Sequence, residues 1–277
     1  MDLGRRALVG GLAAAGLGPT AAGGAERDGR RPITQDQLDR VFRSYAVGGD
    51  LVCVAATPIT EGPFYYESSL QRRAIAERMP GVPLRLGIRL GGLSRTAGRC
   101  LPVAEATVDV WHASATGLYS NVGKALQPVD TTGQTFMRGH QVTDETGYVE
   151  FDTIVPGWEI VAGRLGGPKA AVFPASRTTH IHVKAFYERE VLTTQLFLPD
   201  SLLDQLYAEV EPYKSHGVMT APGLDRTYAR IKNGADPFFA ESKAKPLTLE
   251  RINGVLTAKV TLGVLSQDLQ GVRTLFR

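Results

Sequence analysis

Short runs in which apolar and polar side chains alternate, each closed off by Gly or Pro, fill this chain from Leu51 onward and restrict it to a fold built from strands. The clearest runs cover 84–90, 106–112, 147–153, 179–186, 192–197 and 255–262. Within them Val108, Val110 and His112 alternate with Asp109 and Trp111, and Val149 and Phe151 alternate with Glu150 and Asp152. Successive side chains of a strand take opposite faces, so each run offers one face to a core and one to whatever covers the sheet. Many short strands separated by turn signals indicate a mainly β fold, a sandwich or barrel. Two helices are expected beside it. A short one precedes the strands, capped by Thr34, with Leu38, Val41, Phe42 and Tyr45 on its apolar side. The other covers 201–215, where Leu202, Leu203, Leu206, Tyr207 and Val210 recur at helical spacing after Pro199-Asp200-Ser201.

At 277 residues, 43% hydrophobic and 21% charged, the chain has the composition of an ordinary globular protein with one substantial core. Its formal charge of +3 comes from scattered Lys and Arg, with no basic stripe, which argues against nucleic acid and for a small-molecule partner. Arg5-Arg6 followed by a Gly/Ala-rich apolar run to Ala22 resembles a twin-arginine export signal. The run is too short and too poor in bulky residues to span a bilayer. The expected organisation is an export signal over 1–25, a linker and short helix over 26–50, and one β-sandwich domain over 51–277. The mature form would carry no stable membrane span and would reside in the periplasm or outside the cell. There the two cysteines, Cys53 and Cys100, suit a single disulfide, with two buried thiols as the alternative.

Chemistry concentrates at Arg177-Thr178-Thr179-His180-Ile181-His182. On a strand both imidazoles point one way and Ile181 points into the opposite layer, so the pair forms half of a metal site. Upstream, Gly117 breaks the strand that ends near His112 and leaves Tyr119 on a loop, where a phenol can turn into a cleft. The Gly/Ala/Pro-rich stretch between Trp158 and Arg177 has no periodicity and reads as a loop beside the site. His112 reads as a packed, hydrogen-bonded histidine and His140 as a loop or strand-start residue. Tyr65, Tyr66, Tyr148 and Tyr187 read as packing or surface aromatics.

Six ordered segments then resemble the intradiol ring-cleavage dioxygenases. They are Glu61-Gly62-Pro63-Phe64-Tyr65, Val108-Asp109-Val110-Trp111-His112 with its following Gly117-Leu118-Tyr119-Ser120, Thr143-Asp144-Glu145-Thr146-Gly147, Thr153-Ile154-Val155-Pro156-Gly157, the strand from Arg177 to His182, and Thr193-Thr194-Gln195. The resemblance covers about 51–200 and implies a mixed β-sandwich holding non-haem Fe(III) between two tyrosines and two histidines. It implies Tyr119, His180 and His182 as ligands, with Arg177 stabilising charge on the ring and Gln195 near the substrate. Gly62, Pro63 and Trp158 would line the aromatic pocket. The partners implied are a small aromatic diol and O2. The short helical lead differs from the long dimerisation helices of some members, and a homodimer stays open.

One position departs from the pattern. Where the family places its second tyrosine after the Pro-Gly element, this chain has Trp158 and then Glu159, and no tyrosine occurs between Trp158 and the histidines. A carboxylate is anionic, binds iron and has a tunable pKa, so Glu159 can replace that ligand or be a solvated loop residue. Tyr148 is the one alternative phenol. Two further functions follow from the same residues: a non-catalytic iron or catecholate binder, and a zinc hydrolase using His180, His182 and Glu159.

Overall fold

The computed structural model describes residues 56–93, 100–159, 177–187, 190–216, 218–220 and 227–265. The expected export signal, the expected linker and helix, the expected loop over 161–176, and Cys53 of the expected Cys53–Cys100 bridge lie outside those residues. The described strands are β1 (Pro83–Leu93), β2 (Cys100–Pro102), β3 (Thr107–Trp111), β4 (Arg138–Val142), β5 (Tyr148–Ile154), β6 (His180–Tyr187), β7 (Glu190–Phe197), β8 (Val218–Thr220), β9 (Thr227–Ala229), β10 (Leu249–Ile252) and β11 (Val255–Leu265). The helices are α1 (Asp200–Glu209), α2 (Tyr213–His216) and α3 (Pro237–Ser242).

The first sheet is built on β1. It pairs in parallel with β11 and antiparallel with β5 and β2 along successive stretches, and β10 closes the far edge of β11. The second sheet runs β4-β3-β6-β7 and is antiparallel throughout. Alternation decides what lies between them. Leu84, Leu86, Ile88 and Leu90 of β1, Val149 and Phe151 of β5, Val108 and Val110 of β3, and Ile181, Val183 and Ala185 of β6 form one buried cluster. The mainly β, sandwich-like class read from the sequence is the fold observed.

All six expected runs are strands. Those not anticipated are short or lack the pattern: Arg138-Gly139-His140-Gln141-Val142 of β4 has no apolar alternation, because it is an edge strand held by backbone pairing to β3. The helix expected over 201–215 is divided into α1 and α2. Pro212 has no N–H and disfavours helical geometry at the residue before it, which places the break where it falls. Leu203 and Leu206 of α1 and Tyr213 of α2 join the main core, so the pair packs on the sandwich as a unit. No helix among the described residues is long and apolar enough to cross a membrane.

Candidate active site

With Ile181 and Val183 turned inward, β6 must turn His180 and His182 to the other face of the second sheet. Register then sets their neighbours: Trp111 of β3 lies opposite His182, and His182 lies opposite Gln195 of β7. At this end the outer face is as buried as a core, with His180, His182 and Gln195 each 3% exposed. Loops cover it. Phe64 stacks on Tyr119 with ring centroids 4.4 Å apart, and both join Trp111, Ala113 and Val122 in a second apolar cluster.

Tyr119 reaches the histidines because the chain after β3 folds back on itself. Gly117 adopts φ 76°, its N–H donates to Ser114 O at 3.0 Å, and Ser114 N–H donates to Leu118 O at 2.8 Å. Gln127 then ties down the tyrosine backbone, accepting from Tyr119 N–H and donating to Tyr119 O, both at 2.9 Å. Two glycines bring a second loop alongside. A β-carbon on Gly117 would overlap Trp158 O, and one on Gly157 would overlap Ala115 O. With neither present, Gly157 N–H donates to Ser114 O at 2.9 Å and the 156–159 turn lies against the Tyr119 loop. Trp158 anchors that turn. It is fully buried and stacks on His216 at 4.6 Å; its N–H donates to Tyr207 Oη at 2.7 Å and its carbonyl meets His216 Nε2 at 2.6 Å. Glu159, the next residue, is buried with its Oε2 lacking any hydrogen-bond partner among the described residues.

Three donor atoms converge. The Tyr119 hydroxyl is 3.3 Å from His182 Nε2, and the two histidine Nε2 atoms face each other at 2.9 Å. His180 Nδ1 lies 2.7 Å from Thr178 O, which can only accept, so the proton sits on Nδ1 and Nε2 presents a lone pair. Trp111 fixes the plane of His182, the two rings lying 4.6 Å apart and 6° from parallel. Burial disfavours the charged form of both imidazoles: it pushes the His180 pKa down, and burial together with the neighbouring His180 ring and the Arg177 and Arg138 guanidiniums pushes His182 well down. The Tyr119 pKa is raised, first by burial and then by the adjacent Glu159 carboxylate. A metal cation fits this donor set. It would be met by the Nε2 atoms of the two histidines and by a phenol that it would ionise, with the Glu159 carboxylate beside that phenol.

Arg177 and Gln195 are brought together. Arg177 Nη2 donates to Gln195 Oε1 at 3.0 Å, and Gln195 Nε2 donates to Thr60 O at 3.0 Å. That second bond fixes the start of the 60–67 loop, in which Gly62 faces His182 Cε1 and Pro63 is exposed. Trp158 is an anchor, fully buried and stacked on His216. Tyr148 does not supply a second phenol, because its hydroxyl donates to Glu150 at 2.8 Å on β5 and its ring lies over Gly87 of β1. His112 is a packed histidine held between Ala113 O and Thr153 Oγ1, and His140 lies within β4 with Nδ1 on Ser68 O. Among the described residues no three His, Cys, Asp or Glu side chains form one metal-holding group, and the side chain that meets the histidine pair is the Tyr119 phenol.

Asp236 was not singled out from the sequence. It is fully buried and takes both a 2.5 Å and a 3.1 Å bond from Arg177. The Asp236-Pro237 pair carries the signature of a helix cap, which it is; nothing in the linear pattern ties it to an arginine 59 residues earlier.

A sandwich with a buried tyrosine and histidine pair on its outer face makes a candidate metal centre, and the comparisons give the family to which such a fold belongs. The family model described as a dioxygenase matches residues 60–222, more than half of the chain. A chlorocatechol 1,2-dioxygenase of Rhodococcus opacus is 30% identical over 167 residues, covering 55% of this chain and 56% of that protein. One from Pseudomonas putida is 29% identical over 148 residues, covering 51% and 53%. The chain thus spans about half the length of the curated relatives it matches. The solved structure of an intradiol ring-cleavage dioxygenase from Tetranychus urticae superposes with a TM-score of 0.60 at 23% identity, covering 78% of this chain and 97% of that one. This chain belongs to the intradiol ring-cleavage dioxygenase family.

Proposed function

We propose that the chain is an iron-dependent dioxygenase that opens a catechol-type ring between its two hydroxyl carbons with O2, giving a muconate-type product. The observation that carries this is the meeting of the Tyr119 hydroxyl with His180 Nε2 and His182 Nε2 in a buried site beside Arg177. Tyr119, His180 and His182 would hold the iron, with Glu159 in the position of the family's second tyrosine. When bound, ferric iron would draw electron density from a catecholate and open the ring to O2 without a separate reductant. Glu159 has a buried, unpartnered oxygen beside the Tyr119 phenol, and so it is the acceptor for the proton that the phenol or a catechol hydroxyl must release. Arg177 offers fixed guanidinium donors to negative charge on the ring, which lowers the barrier to the extent that they are aimed at that charge. Gln195 holds Arg177 on one side and the loop bearing Gly62 and Pro63 on the other. Export to the periplasm or beyond through the Arg5-Arg6 signal completes the proposal.

Iron-loaded protein tests it. The expected result is a visible tyrosinate charge-transfer band and equimolar O2 uptake with catechol. Glu159→Ala should lose iron or shift the band, and Glu159→Tyr should strengthen it. A coloured, iron-loaded protein that consumes no O2 with any catechol offered would instead establish the iron or catecholate binder.

A further inference from the structure

The same buried face holds a carboxylate that no ligand role accounts for. Asp236 is fully buried, and its carboxylate accepts from Arg177 Nε at 2.5 Å and from Arg177 Nη2 at 3.1 Å. The backbone N–H of Thr178, two residues before His180, also donates to it at 3.0 Å. From its own segment Phe238 N–H and Phe239 N–H donate to it at 3.0 Å each, so five bonds converge on two oxygens. The segment that carries Asp236 is itself pinned. Asn233 accepts from Thr178 Oγ1 at 2.7 Å and donates to Leu198 O at 2.8 Å, while Arg230 and Lys232 pair with Asp200 and Asp204 of α1. Phe238 lies against the guanidinium 4.1 Å from its carbon, closing another side.

We propose that Asp236 is a positioning residue. It holds Arg177 in one orientation, with Nε and Nη2 committed to Asp236 and Gln195 and with Nη1, which has no partner among the described residues, directed to the substrate. The inference rests on the dioxygenase reading. A guanidinium on a long stem has many rotamers, and a charge that must meet a developing anion is effective only when its geometry is set beforehand. A fork-to-fork pair removes that freedom more completely than a single bond does. Asp236 also braces Thr178, whose carbonyl orients His180, so Arg177 and the histidine pair share one support.

The test is Asp236→Asn, which keeps the shape and an oxygen able to accept from the helix amides while losing the charge and the paired fork. It is measured with and without Arg177→Gln, as kcat and KM per bound iron and as the absorbance of bound 4-nitrocatechol, which reports ionisation of the bound ring. Asp236→Asn should lower kcat about 10- to 100-fold, with KM within about threefold of wild type and an altered nitrocatechol band. In the Arg177→Gln background it should have little further effect, because its action passes through the missing guanidinium. Wild-type kcat and an unchanged band in Asp236→Asn would overturn the inference, as would full additivity with Arg177→Gln. If Asp236→Asn does not fold, Phe238→Leu serves: a roughly 3- to 10-fold fall in kcat at constant KM supports the clamp, and wild-type kcat overturns it. Wild-type protein that neither binds nitrocatechol nor consumes O2 would instead defeat the dioxygenase reading itself.

Discussion

The two faces of the β4-β3-β6-β7 sheet are made by the same alternation and both are buried where His180 and His182 lie, yet they are held by opposite means. Inward, Val108, Val110, Ile181, Val183 and Ala185 meet the first sheet and need only volume and shape. Outward, His180, His182, Gln195 and Arg177 are removed from water by loops and helices. Most of their polar atoms are accounted for by Thr178 O, Thr60 O, Asp236 and one another, while His182 Nδ1 has no partner among the described residues. An apolar face tolerates repacking. A buried polar face does not, because each lost partner leaves an unsatisfied group behind.

Neighbouring substitutions on β6 should therefore fail in different ways. His182→Ala removes a lone pair from the donor set and should leave protein that folds but neither retains iron nor turns over, a loss of at least about 1,000-fold in O2 uptake with catechol. Ile181→Ala, one residue away and fully buried on the other face, should cost about 2–5 kcal/mol in denaturant unfolding while its folded fraction keeps the charge-transfer band. The comparison breaks if the two exchange phenotypes, with Ile181→Ala losing iron at full stability or His182→Ala losing stability with iron in place.

The inward face was legible because a period of two is a direct record of burial on one side. The histidine pair and Tyr119 were legible too, since both sit where strand geometry or a glycine turn dictates direction. Glu159 was placed in the right neighbourhood by its distance from Pro156-Gly157, but its burial depends on two glycines allowing two loops to touch backbone to backbone, and no local pattern encodes that contact. Asp236 was not legible at all as a site residue. Its cap signature is local, whereas its partner comes from another strand and meets it only when α3 is docked. The anchoring of Trp158 by Tyr207 and His216 was hidden for the same reason: α1 and α2 announced an apolar face, and the polar tips of their aromatics found backbone groups far along the chain.

His112 offers the mildest test of the contrast, because it is a polar residue beside the apolar layer. It is fully buried, with Nε2 on Thr153 Oγ1 at 2.7 Å and Nδ1 on Ala113 O at 2.8 Å, and burial lowers its pKa to about 4. The unfolded chain takes up a proton near pH 6.5 while the folded one does not, so stability is intact above about pH 6.5 and falls as the pH drops toward 4. By pH 5.5 the loss from this one group should be close to 1 kcal/mol. His112→Gln keeps a donor and an acceptor without the titration, so its unfolding free energy should fall less than that of wild type between pH 7 and pH 5.5. Parallel losses in the two proteins would mean that His112 already exchanges protons in the folded state, and that the layer around it is less closed than its hydrogen bonds imply.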